Sequence, residues 1–328
     1  MAPELLQNDY MKNQIKKILM VLVVLTLSPS FSWATMPPLD SKCYDVYSQH
    51  DYDQHDYSFC IDQEKGSTSQ DVLLYLHGAG GSEHEWVNSP YAETFYSKWG
   101  MKAPTVISIS YGKTWLLVEK NDSDESGLYE HFTQIALPHV ESMLLFHPAK
   151  IMLVGASMGG FNASQLYLKQ PQLFSKVALA CPALFELDSK AIYSDDDSDN
   201  NDDDSSDMDS EVSKYVARTR ANEDDVNFAL GVYLDYFPDE DSWNAASPID
   251  LAAKWVTPAF PPLYVSCGDA DQFGFFEGST LFTNAVTKNG ASAELKIVPG
   301  PHCSFDQDGM FGFLMGTEMT TRNIASVR

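Results

Sequence analysis

Gly155-Ala156-Ser157-Met158-Gly159 sets a serine between two glycines, and the apolar run Ile151-Met152-Leu153-Val154 leads straight into it. Phe161 to Leu168 continue with a helical pattern. A serine on such a strand-turn-helix elbow projects its hydroxyl above a sheet edge, in a tight backbone that small flanking residues permit. A serine hydroxyl attacks only after a base removes its proton, and the base needs a carboxylate to orient it. Around this elbow the chain order is Ser, then Asp or Glu, then His. His302 is the sole histidine after Ser157, since the other seven (50, 55, 77, 84, 131, 139 and 147) precede it. Gly268-Asp269-Ala270-Asp271-Gln272 supplies two acids. Asp271, at G-x-x-D spacing, is taken as the orienting acid, and Asp269 as a loop-stabilising or solvated carboxylate. Ser157, His302 and Asp271 together could carry nucleophilic acyl transfer.

Acyl transfer also needs donors for the developing oxyanion. His77-Gly78-Ala79-Gly80-Gly81 offers glycines that let backbone N–H groups turn inward. The expected donors are the N–H groups of Ala79 and of Met158, the residue after the nucleophile. His77 reads as a structural group holding this loop rather than a second base. The glycines carry neither a Walker lysine nor G-x-G-x-x-G spacing, so a phosphate cradle is not expected. With no C-x-x-C spacing either, the chemistry calls for no metal and no cofactor.

These residues must be held by a scaffold. Continuous apolar runs at Asp71–Leu76, Thr105–Ser110, Lys150–Val154, Lys176–Cys181, Pro262–Cys267 and Glu294–Val298 read as strands covered on both faces. Helical stretches alternate with them. Tyr129 to Phe146 has helical spacing, with Pro138 expected to kink it or mark a first turn. The whole reads as an α/β fold with a mainly parallel, doubly wound sheet, whose sites gather at the carboxyl ends of strands. Ser157, Asp271 and His302 all fall just past such ends. The segment 183–261 is far longer than an ordinary crossover and reads as a cap or lid insertion. Within it, Asp195 to Glu211 holds nine aspartates, one glutamate and no Lys or Arg. Its carboxylates would suit calcium, but it lacks an EF-hand's glycine and closing glutamate, so a mobile, solvated loop is expected.

The 328 residues, 44% of them hydrophobic, are ample for one large core. Met11 to Lys17 is a short basic segment, Ile18 to Leu27 an almost wholly apolar run, and Ser32-Trp33-Ala34 a small-residue cleavage site. This is the pattern of an export signal, too short for a membrane span. Residues 1–34 are therefore read as upstream extension plus signal peptide, and 35–328 as one catalytic domain, secreted or periplasmic, with no stable membrane insertion. All five cysteines lie after residue 34, where disulfides can persist. Cys43–Cys60 is the expected first pair and Cys267–Cys303 the second, with Cys181 competing for Cys267; one thiol is left over. The net charge of −25 repels nucleic acid, leaving a small-molecule ester as the expected partner.

Leu76-His77-Gly78-Ala79-Gly80-Gly81, Gly155 to Phe161, Gly268 to Phe273 and Gly300-Pro301-His302 together resemble the α/β-hydrolase fold in its putative-esterase branch. That is the group around esterase D (S-formylglutathione hydrolase), feruloyl-esterase-type enzymes and mycolyltransferases. Asp241 to Leu251 resembles the segment before the family's acid strand, and the resemblance spans about residues 70 to 315. It implies a serine esterase with nucleophile Ser157, base His302, acid Asp271 and oxyanion donors Ala79 and Met158. The export signal departs from a cytosolic formaldehyde-detoxifying role, and the acidic insertion from the usual pocket. An acyltransferase with the same triad, a peptidase, and a non-catalytic binding protein on a hydrolase scaffold are the alternatives.

Overall fold

Strand residues that are apolar on both faces need cover on both faces, and the sheet is built around that need. The computed structural model describes residues 39–47, 55–112, 116–118, 127–193 and 206–316, all within one unit, Pro37–Arg328. The expected export segment lies outside the described residues. Eight strands form one sheet: β1 (Leu39–Val46), β2 (Tyr57–Glu64), β3 (Asp71–Leu76), β4 (Thr105–Ser110), β5 (Lys150–Ala156), β6 (Lys176–Ala180), β7 (Leu263–Gly268) and β8 (Ala293–Val298). Their spatial order is β1-β2-β4-β3-β5-β6-β7-β8. β1 and β2 pair antiparallel, as do β2 and β4, and every other pair is parallel.

The six expected strands are all present. The two at the amino-terminal edge are additional, and β1 (LDSKCYDV) escapes a sequence reading because it is largely polar and exposed. β2 does alternate: Tyr57, Phe59 and Ile61 face one side and Ser58, Cys60 and Asp62 the other. Exposed Asp40 and Lys42 on β1 put charge on the open edge, which discourages pairing with another chain.

Side-chain alternation splits the core in two. Val72, Leu74 and Leu76 pack on one face of β3 with Phe161 and Leu166, while Leu73 and Tyr75 pack on the other with Trp86, Phe95 and Phe311. On the first face lie α2 (Met158–Lys169), α6 (Pro248–Trp255) and α7 (Phe275–Lys288); on the second lie α1 (Pro90–Trp99) and α8 (Gln307–Met315). The stretch near Pro138 divides into Leu128–His131, a π-helical turn at Phe132–Ala136, and Leu137–Ser142. Pro138 is the second residue of the last piece, directly after the π-helical turn, and the helical backbone runs through all three pieces.

Between β6 and β7 the chain forms α3 (Ser206–Thr219), α4 (Glu223–Tyr236), α5 (Glu240–Ala246) and α6. The last of these belongs to the layer on the sheet: Asn289 Nδ2 on the loop after α7 donates to the carbonyls of Ala252 and Ala253 at 2.8 and 3.0 Å. The acidic run needs one correction. Its residues 195–205 lie outside the described residues, but from Ser206 it is helix rather than loop. Glu211 is buried and accepts from the Asp188 N–H at 3.4 Å, so the end of the run is part of the packed structure rather than solvated.

The cysteine pairing also differs from expectation. Cys43–Cys60 joins β1 to β2 as expected, but the second bridge is Cys181–Cys303, leaving Cys267 free and buried. After β8 the chain folds back over the ends of β7 and β6, held by Asp269 N–H on Val298 O (2.9 Å) and Ala270 N–H on Gly300 O (2.9 Å). That carries Cys303 past Cys267 to the end of β6. The Cys267 thiol instead meets Ser279 of α7, and burial pushes it up to about 12.

Candidate active site

The strand order runs outward in both directions from β3 and β5, so the crevice at their carboxyl ends is the topological switch point. The register aligns those ends: Leu76 lies opposite Gly155, Ala156 opposite Ala180, and Gly268 opposite Val298. The His77 loop, Ser157, Cys181, the Asp269–Asp271 loop and His302 therefore emerge on one edge.

Ser157 links β5 to α2 with φ 54° and ψ −116°, a left-handed conformation that is costly for a residue with a Cβ. The neighbouring glycines show why it persists. A Cβ on Gly155 would lie 2.0 Å from Gly159 O, one on Gly159 2.1 Å from Leu76 O, and one on Gly160 2.6 Å from Pro182 Cα. Such close backbone approaches over-determine the turn. Two bonds fasten it: the Ser157 N–H donates to Ala180 O (3.0 Å), and Ser157 O accepts from Ala183 N–H (2.9 Å).

Ser157 Oγ lies 2.8 Å from His302 Nε2, and His302 Nδ1 lies 2.7 Å from Asp271 Oδ2. Loops far apart in the sequence thus deliver one connected chain of hydrogen bonds. Asp271 is buried, and its Oδ1 accepts the Phe273 N–H at 2.9 Å, which fixes the carboxylate plane. Asp269 takes another place: its Oδ1 accepts the Gly300 N–H at 3.0 Å and so ties the acid loop to the His302 loop. Phe273 and Phe275 stand edge-on to the imidazole at centroid distances of 4.9 and 5.5 Å. Behind them Phe185 packs in the buried core, 4.8 Å from Phe275 and 5.0 Å from Tyr233.

The glycine loop lies against the elbow: a Cβ on Gly78 would come 3.5 Å from Ser157 Cβ. Ala79 comes next, exposed, in a turn closed by Gly81 N–H on Gly78 O (3.0 Å). Met158 is the first residue of α2, so its N–H has no intrahelical acceptor and the positive end of the helix dipole is beside Ser157. His77 is buried beneath, with Nε2 2.9 Å from Ser110 Oγ and Nδ1 2.8 Å from Gly78 O. Burial lowers its pKa, which keeps it neutral under the loop.

Two further residues shape the site. Gln272 Oε1 accepts the His302 N–H at 3.0 Å, fixing the backbone that carries the imidazole. Glu85 Oε1 takes the Tyr75 hydroxyl at 2.5 Å and the Gly78 N–H at 3.4 Å. Gln272 adjoins Asp271, and that adjacency is a readable signal. Glu85 lies in a stretch with no periodic pattern, and only the folded chain brings it to Gly78.

Ligating atoms gather within 4.8 Å in two groups among the described residues, Cys43/Cys60/His84 and Cys181/His302/Cys303. Both sulfurs of each group are already joined in a disulfide, which leaves one imidazole apiece for any cation. Among the described residues no helix is long and apolar enough to cross a membrane.

Residues 55–258, more than half of the chain, match the family model described as Putative esterase. The match takes in Ser157 and the His77 loop, and stops short of Asp271 and His302. No curated protein sequence matches significantly. Solved structures with a similar fold include a ferulic acid esterase (14% identity, covering 85% of this chain and 95% of that one, TM-score 0.51). An S-formylglutathione hydrolase from Agrobacterium tumefaciens is also similar (14% identity, 87% and 95% coverage, TM-score 0.57). So is a brefeldin A esterase (12% identity, 88% and 79% coverage, TM-score 0.58).

Proposed function

The chain belongs to the Putative esterase family, a carboxylic ester hydrolase of α/β-hydrolase fold, and on that premise we propose that it works through an acyl-enzyme on Ser157. The observation that carries this reading is the bonded series Ser157 Oγ, His302 Nε2, His302 Nδ1 and Asp271 Oδ2, at 2.8 and 2.7 Å. His302 takes the hydroxyl proton as Ser157 Oγ attacks the ester carbonyl. Asp271 keeps the other ring nitrogen protonated and stabilises the imidazolium that forms. The N–H groups of Ala79 and Met158 receive the oxyanion, each such donor contributing roughly 3 kcal/mol in the transition state. The alcohol leaves with the proton from His302. Water, activated by the same imidazole, then releases the acid and restores Ser157.

The Phe273 and Phe275 rings against the imidazole support an apolar acyl or alcohol group beside His302. The similar structures are named for ferulic acid, S-formylglutathione and brefeldin A, so the acyl group is tested across sizes. Two disulfides and the leader expected over residues 11–34 support a secreted or periplasmic site of action. The test is a panel of p-nitrophenyl acetate, butyrate and octanoate with methyl ferulate, run with and without a competing alcohol. Free acid as the product, with a preference for the bulkier groups, is expected. Transfer to the alcohol as the main reaction, or no turnover of any ester, would reject hydrolysis as proposed.

A further inference from the structure

A bridge between the base's loop and the nucleophile's scaffold is the least expected feature of this edge. Cys303 directly follows His302, and Cys181 directly follows Ala180, whose carbonyl accepts the Ser157 N–H at 3.0 Å. The ligating atoms of Cys181, His302 and Cys303 lie within 4.8 Å of one another. Both cysteines have left-handed backbone, at φ 43° and 60°, and with Ser157 they make three of the four non-glycine residues of positive φ among those described. Such conformations persist only where the surroundings enforce them, and they cluster at sites where geometry matters to function. Cys181 is enforced by its N–H on Ser266 O (2.7 Å) and by Pro182 packed on Gly160. Cys303 lies beyond the last strand, on a loop held by Ser304 N–H on Pro301 O, Gly300 N–H on Asp269, and His302 N–H on Gln272.

We infer that the Cys181–Cys303 disulfide is a positioning element of the esterase, holding His302 in register with Ser157, so that activity depends on the bridge being closed. The inference rests on the triad reading above. The elbow side is locked into the sheet, whereas the imidazole side is a loop. The bridge makes the His302–Ser157 separation a property of the rigid side. A dithiol would open it by attack of its thiolate on the sulfur of Cys303, the partly exposed residue of the pair, giving a mixed disulfide and releasing Cys181 thiolate. The reductant's second thiol then displaces Cys303, leaving a cyclic disulfide of the reductant. Two electrons and two protons pass to Cys181 and Cys303, which end as thiols. The enzyme is thereby active where disulfides persist and impaired where thiols dominate.

The experiment uses the full chain with Cys43→Ala and Cys60→Ala, so that one bridge remains, before and after dithiothreitol. It follows kcat and KM for p-nitrophenyl acetate, fluorophosphonate labelling of Ser157, and thermal unfolding. Opening the bridge is expected to lower kcat by roughly 10- to 100-fold, the effect of misplacing a catalytic group by about 1 Å. KM should hold within about twofold, labelling should slow in parallel, and reoxidation should restore both. Cys181→Ser with Cys303→Ser should match the reduced form. A bridge that matters only for stability would lower the unfolding temperature and leave kcat and labelling rate at 25 °C unchanged, and that result overturns the inference. If the background variant does not fold, alkylation mapping of the unmodified chain links activity loss to the Cys181 and Cys303 peptides or, against the inference, to Cys43 and Cys60. Absence of Ser157 labelling in the oxidised protein would instead refute the triad reading itself.

Discussion

Replacing Asp271 by asparagine changes one atom in the site, and the geometry dictates the cost. Asp271 presents Oδ2 to His302 Nδ1 at 2.7 Å and Oδ1 to the Phe273 N–H at 2.9 Å, and it is buried. Both partners are donors in the working state. An asparagine offers one acceptor and one donor, so one of the two contacts must fail. If the amide nitrogen faces His302, the ring is driven to the tautomer with its proton on Nε2, pointing at Ser157, and the base is lost. If the amide is flipped, its nitrogen opposes the Phe273 N–H and the acid loop is disturbed. The wrong tautomer costs about 10⁴-fold in kcat, or roughly 5.4 kcal/mol at 1.36 kcal/mol per tenfold. Asp269→Asn should be mild, because that residue accepts a single bond from Gly300 N–H on an exposed loop. Steady-state kinetics of both variants on p-nitrophenyl acetate, with circular dichroism to show folding, make the comparison. Activity of Asp271→Asn within tenfold of the parent, or a larger loss in Asp269→Asn, would refute the reasoning.

Gly159→Ala would place a Cβ 2.1 Å from Leu76 O and 2.6 Å from His77 O, backbone atoms at the end of a central strand that cannot yield. A loss of about 3 kcal/mol or more is expected, seen as a fall of roughly 5 °C or more in Tm by differential scanning fluorimetry; an unchanged Tm would contradict the close approach. Asp62 is buried, and desolvation raises its carboxyl above the ordinary 3.8, outweighing Ser41 and His84. A raised folded-state pKa favours the native state fully below 3.8, and that contribution is lost as pH rises through the raised value. Asp62→Asn, which cannot ionise, should therefore gain in Tm relative to the parent as pH rises above 3.8, and a difference that stays constant with pH would sink the assignment.

The central strands are legible because they are apolar on both faces: Val72 to Leu76 can only be a strand covered twice. The elbow is legible because Gly155 and Gly159 sit where no Cβ fits. The order Ser157, Asp271, His302 is legible because each residue lies past a strand end. The rest depends on contacts that no local pattern carries. β1 is polar and gains its place only by pairing with β2. Glu85 reaches Gly78 from a stretch without periodicity. The second disulfide defeats a strand-by-strand reading because β7 and β8 are neighbours, yet the loop returning after β8 carries Cys303 to Cys181 rather than to Cys267. Glu211 closes an acidic run that looks solvated throughout, yet the side chain is buried against the Asp188 N–H.

The claim on which the account rests is that Ser157 forms the acyl bond. Its most direct test is intact mass spectrometry of the protein after a fluorophosphonate probe, with peptide mapping of the label and Ser157→Ala in parallel. The account predicts one adduct per chain on the peptide that contains Ser157, with ester turnover abolished and the fold retained in Ser157→Ala. An adduct on another residue, or turnover that persists in Ser157→Ala, would contradict it.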